Sequence, residues 1–91
     1  MLIRSQNKEL LVNFNVSAGI EIEEGTTKTV VTSYITGCSY LLGEYFTKAK
    51  AMKVLDMIQE AYERYEYEKV FKTGLTLFET FQMPDDSDVE V

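Results

Sequence analysis

Lys48, Lys50 and Lys53 open the helical stretch from Tyr45 to Tyr65, and Glu60, Glu63 and Glu66 close it. A helix favours acids at its N-terminus, where unpaired N–H groups leave a partial positive charge, and bases at its C-terminus. Here the charges run the other way. Two accounts fit this order. The lysines are solvated surface residues, each misplaced charge costing about 0.3–1 kcal/mol. Alternatively they join the free N–H groups in a corner that takes an anion, either a phosphate or an acidic segment of a partner. A nucleic-acid surface would ask for a longer basic tract with stacking aromatics beside it. Tyr45 and Phe46 are adjacent, but the lysine-rich stretch is short.

Other groups capable of chemistry are sparse. The chain has no histidine, which removes the commonest general base and the commonest transition-metal ligand. Its one cysteine, Cys38, follows Gly37 in a turn with no basic residue adjoining it, so an inert thiol is expected. The five glycines are isolated, so none forms a phosphate-binding loop. Carboxylates pair at Glu21/Glu23 and at Asp85/Asp86. Without further oxygen ligands at fixed spacing these read as solvated side chains rather than a cation site. No cofactor, metal site or catalytic residue is expected, and the chain is not read as an enzyme.

The elements that position these residues follow from periodicity. Leu10, Val12, Phe14 and Val16 alternate with Leu11, Asn13 and Asn15, the period of a half-buried strand. A short strand at residues 2–6 precedes it, joined through a turn at Asn7-Lys8. A second hairpin follows, with Ile20 and Ile22 directed inward, Glu21 and Glu23 outward, and a turn at Glu24-Gly25. A turn at residues 36–39 leads into a further strand ending at Phe46. Thr47 is a good N-cap, and Ala51, Val54, Leu55, Ile58, Ala61, Tyr62 and Tyr65 share an arc of about 120° on the helix that it starts. A final strand, Leu75 to Met83, ends at Pro84, and residues 85–91 read as an acidic disordered tail. Residues 1–84 thus form a single α+β domain. Its antiparallel sheet has about five or six strands, one long amphipathic helix covers one face, and the last strand comes after the helix.

Composition agrees with a globular chain: 91 residues, 45% hydrophobic and 26% charged. Four of the fifteen acids lie in the last seven residues, so eleven acids face nine bases in residues 1–84 and the body is close to neutral. No apolar run is long enough for a transmembrane span. Arg4, Lys8 and Glu9 stand where a signal peptide would be apolar, which with a single cysteine favours a reducing cytoplasm. The surplus is in aromatics. Six tyrosines in so short a chain cannot all be core, and the last strand places Phe78 on the face opposite Leu77 and Phe81. Tyr40, Tyr45 and Phe78 are therefore candidates for an interaction surface.

Ile3-Arg4-Ser5-Gln6, Leu42-Gly43-Glu44-Tyr45 before Thr47, Ala51, Val54-Leu55-Asp56 and Ile58 with Tyr62, and Phe81-Gln82-Met83-Pro84 together carry a resemblance. In that order they resemble a group of small uncharacterised proteins from phages and prophages of Gram-positive bacteria. The hairpin from Gly19 to Thr36 lies outside the likeness. The resemblance implies a mobile-element origin, residence in the host cytoplasm and a small non-enzymatic protein. Such a chain would bind itself as a homo-oligomer, or bind a phage or host protein. Binding of a nucleic acid or other anion through Lys48, Lys50 and Lys53 is the alternative.

Overall fold

The computed structural model describes residues 1–71 and 80–90. Among the described residues, six strands, one long helix and two short 3-10 turns make an α+β fold. Strands β1 (Leu2–Arg4), β2 (Leu11–Asn13), β3 (Gly19–Glu24), β4 (Thr29–Ile35) and β5 (Cys38–Tyr45) precede helix α1 (Lys48–Phe71), and β6 (Thr80–Gln82) follows it. The strands form two three-stranded sheets, ordered β2-β1-β6 and β3-β4-β5. A single antiparallel sheet was the expectation. The division has a local cause at Asn13, whose Oδ1 accepts the Asn15 N–H at 2.9 Å. A side chain that captures backbone in this way competes with the ladder. The strand ends there in a 3-10 turn, Phe14–Val16, although the apolar alternation runs on, and Val16 is left 62% exposed.

β6 pairs parallel with β1, Ile3 opposite Phe81, which is possible because the whole helix lies in the connection. Of the expected last strand, Leu75, Leu77 and Phe78 lie outside the described residues, while Phe81 packs half-buried against the core. β3, β4 and β5 form an antiparallel meander. Its tight turn between β4 and β5 places Thr36 and Gly37 at φ of 48° and 80°, the two left-handed residues that such a hairpin demands. Leu42 is the extra residue of a bulge opposite Val31 and Thr32. Its carbonyl accepts the Gln6 N–H at 2.7 Å, which ties the β1–β2 hairpin to β5.

α1 packs on β3, β4 and β5. Its buried residues, Ala51, Val54, Ile58 and Ala61, recur every three or four positions, the spacing of one helical face. Facing them in one continuous core are Val31, Leu42 and Tyr45 with Met1, Ile3, Val12, Met83 and Val89. β4 alternates as a half-buried strand should: Thr29, Val31 and Ser33 are buried, Val30 and Thr32 half-buried, and Tyr34 exposed. Buried Ser33 keeps its hydroxyl satisfied by Ser17 Oγ at 2.9 Å. Among the described residues, no helix is long and apolar enough to cross a membrane.

The expectation of a disordered tail is corrected. After Pro84 the chain turns through a 3-10 segment, Asp86–Asp88, and seats Val89 in the core at 4% exposure. The acidic composition concealed two anchoring residues, one apolar and one charged.

Candidate functional site

Thr47 caps α1 as its residue type predicts, with Oγ1 accepting the Lys50 N–H at 3.1 Å. The corner around it holds an anion, and the anion belongs to the chain. Asp86 Oδ1 accepts the Phe46 N–H at 2.8 Å, and Lys50 Nζ donates to Asp86 Oδ2 and to the Asp86 carbonyl, both at 3.0 Å. The Phe46 N–H, and after it the Lys50 ammonium, hold the Asp86 carboxyl below the usual aspartate range, with partial burial opposing them. Lys48 Nζ lies 3.2 Å from Glu24 Oε1, both side chains more than half exposed, a pair worth little in water. Lys53 is exposed and has no ion pair among the described residues. The three lysines therefore do not converge: Lys50 serves Asp86, Lys48 serves Glu24 and Lys53 meets solvent. Lys28 completes the corner, paired with Glu44 at 3.3 Å and 5.9 Å from the centre of the exposed Phe46 ring.

Tyr45 is not part of an interaction surface. It is 1% exposed, and its ring lies over Gly43, where an added Cβ would stand 3.1 Å from the ring carbon Cε2 and from the hydroxyl. The hydroxyl donates to the Pro84 carbonyl at 2.8 Å. Burial, reinforced by the charges of Asp85 and Asp86, pushes its pKa far above the ordinary tyrosine range. A raised folded-state pKa gives stability that is intact below the unfolded value of about 10 and is lost as pH rises beyond it. Tyr45→Phe should cost about 0.5–1.5 kcal/mol at neutral pH through the lost hydrogen bond. In melts between roughly pH 9 and 11, the parent Tm should fall faster than that of Tyr45→Phe. Parallel slopes would show that the hydroxyl is not held as described.

Gln6 is a joint that the sequence did not disclose. Its Oε1 accepts the Glu44 N–H at 2.9 Å, and its Nε2 donates to the carbonyls of Glu44 (3.1 Å) and Pro84 (3.2 Å). One amide side chain thus ties the first hairpin, β5 and the C-terminal segment together. Gln82 Nε2 adds bonds to the carbonyls of Ser5 and Met83. A lone glutamine, in a turn as Gln6 is or at a strand end as Gln82 is, leaves no periodic signal for such a bond.

Of the remaining candidates, Tyr40 is 37% exposed, and Phe78 lies outside the described residues. Tyr40 stands opposite Ser33 at the turn end of the β4–β5 pair. Beside it, Thr32 opposes Leu41 and Tyr34 opposes Ser39, on the side of the sheet that alternates away from buried Val31 and Ser33. Tyr34 and Leu41 are 42% and 48% exposed, a diagonal apolar pair on the face turned away from the core. The run Tyr40-Leu41-Leu42 breaks strict alternation, the one trace in the sequence that an apolar residue would fall on that face. Cys38 is a free, exposed thiol at the start of β5, and Glu21 and Glu23 are exposed on β3. No group of three or more metal-ligating side chains occurs among the described residues. No protein-family model, curated protein or solved structure matches the chain.

Proposed function

We propose that the chain is a small non-enzymatic protein-interaction module that binds itself or a phage or host protein in the host cytoplasm. The observation that supports this reading is the outer face of β3–β4–β5, turned away from the core. Tyr34 and Leu41 stand exposed there, whereas Tyr40, paired with Ser33, projects to the opposite face. Aromatic residues are enriched in interface cores, and a second copy or a partner would bury this strip. The phage resemblance supports a phage or host protein as the alternative to self-association. Leu41→Glu tests it, because the side chain is exposed and the change leaves the fold intact. Sedimentation velocity over a range of concentrations, with affinity capture from a Gram-positive host lysate, should show a self-associated form or one specific partner for the parent chain. Leu41→Glu should lose it. A chain that stays monomeric and captures nothing that Leu41→Glu fails to capture contradicts the reading.

A further inference from the structure

The edge of β3 that faces away from β4 pairs with no strand among the described residues. The Gly25 N–H bond to the Lys28 carbonyl, 2.8 Å, fixes which residues of β3 turn their backbone outward. Pairs alternate in an antiparallel ladder, so Gly25–Lys28 and Glu23–Val30 are hydrogen-bonded pairs, and Glu24, Ile22 and Ile20 present N–H and C=O groups to the open side. A cleft of about 250 Å3 lies alongside. It is lined by Phe14, Ile20, Leu55, Ile58, Gln59 and Tyr62, and by no residue of β4 or β5, so it opens between the β3 edge and α1. Phe14 and Tyr62 build one wall, their ring centres 4.7 Å apart. The cleft is smaller than the roughly 300–1,000 Å3 of a small-molecule pocket. It suits single side chains of a strand laid along the edge.

Charge selects that strand. The solvent side of β3 carries Glu21 and Glu23, Glu24 closes the strand, and Glu63 accepts from Gln59 at the helical rim of the cleft. A second copy pairing antiparallel through this edge would set glutamate against glutamate: Glu21 against Glu23 when centred on Ile22. Like charges opposed across strands are destabilising. An added strand with basic residues beside Glu21 and Glu23 would place its alternate residues beside Ile20 and Ile22, on the face of the sheet where Ile20 lines the cleft.

We propose, resting on the reading of the chain as an interaction module, that the β3 edge and its cleft receive an extended peptide of alternating apolar and basic residues. Main-chain bonds to Ile20, Ile22 and Glu24 hold it, the cleft takes its apolar side chains, and the glutamates fix its charge. The probe is a fluorescein-labelled seven-residue peptide of alternating valine and lysine, titrated by anisotropy beside one of alternating valine and glutamate. The parent chain should bind the lysine peptide at least tenfold more tightly, and less so as salt rises. The double variant Glu21→Lys/Glu23→Lys, altered only on a solvated face, should invert the preference. Gln59→Trp, which fills the cleft from an exposed position, should weaken binding at least tenfold. Equal affinity for both peptides, an uninverted preference, or no binding overturns the proposal. If the peptides fail while Leu41→Glu still abolishes self-association or partner capture, the cleft is refuted and the interaction module stands. If the lysine peptide binds as described while Leu41→Glu changes nothing, the outer face is refuted and the cleft stands.

Discussion

Ile58→Asp should leave the chain unfolded at neutral pH, with no cooperative melt and a collapsed dispersion of amide shifts. Ile58 sits mid-way along the buried stripe of α1, 3% exposed, in the core that the helix shares with β3–β4–β5. A carboxylate there loses its hydration, and the surrounding side chains are apolar. It must either stay charged without a partner or take up a proton at a cost, and the packing of Ile is lost as well. Costs above 4–5 kcal/mol arise from this short list of mechanisms. A 91-residue domain holds about 5–14 kcal/mol in all at typical per-residue stability. Lys53→Asp, on the exposed face of the same helix, should shift stability by no more than about 0.5 kcal/mol. Far-UV circular dichroism and a thermal melt of both variants decide it. A folded Ile58→Asp protein would mean that the helix is seated on another face.

Deleting residues 85–91 should lower the melting temperature by roughly 10 °C or more. Removing Val89 alone forfeits about 1.5–3 kcal/mol of apolar burial, and each kcal/mol moves the Tm of so small a domain by about 4–8 °C. The deletion also strips the Phe46 N–H and Lys50 of their carboxylate partner. Two single changes separate the contributions. Val89→Asp removes the anchor but keeps Asp86, whereas Asp86→Asn keeps a hydrogen-bond acceptor and removes the charge. The second has a signature in acid. A carboxyl whose folded pKa is lowered contributes stability above the unfolded aspartate value of about 3.9, and that stability is lost as pH falls through the folded value. The parent should therefore lose Tm below about pH 4 by more than Asp86→Asn does. A deletion that leaves the melt unchanged would show the segment to be undocked.

The helix was legible because its signal is repeated. Thr47 at the cap and the stripe from Ala51 to Tyr65 say the same thing many times over, and the structure buries Ala51, Val54, Ile58 and Ala61 on that stripe. The Gly37 turn and the inward Ile20 and Ile22 were legible for the same reason, since turn chemistry and a period of two agree. What escaped depends on single residues acting at long range. Asn13 ends a strand with one side-chain bond, Gln6 joins three segments through one amide, and Asp86 crosses back to the start of α1. None of these leaves a period, and Asp86 sits among acids that composition reads as a solvated tail. Tyr45 was misassigned because six tyrosines offer no way of telling which one rests on a glycine: Gly43 supplies the space.

The reversed charges of α1 are answered in part within the chain: Lys50 and the Phe46 N–H hold Asp86. The most direct test is a pH titration of the Phe46 amide by 1H–15N correlation spectroscopy. An amide proton donated to a carboxylate moves as that carboxylate takes up a proton. The Phe46 resonance should be shifted downfield at neutral pH and should move upfield on acidification, with a midpoint below the aspartate reference of about 3.9. Asp86→Asn should abolish the transition, and inorganic phosphate at neutral pH should leave the resonance in place. A Phe46 amide that does not respond to acid, or one that shifts saturably with phosphate at neutral pH, would show the corner to be open and would contradict the assignment.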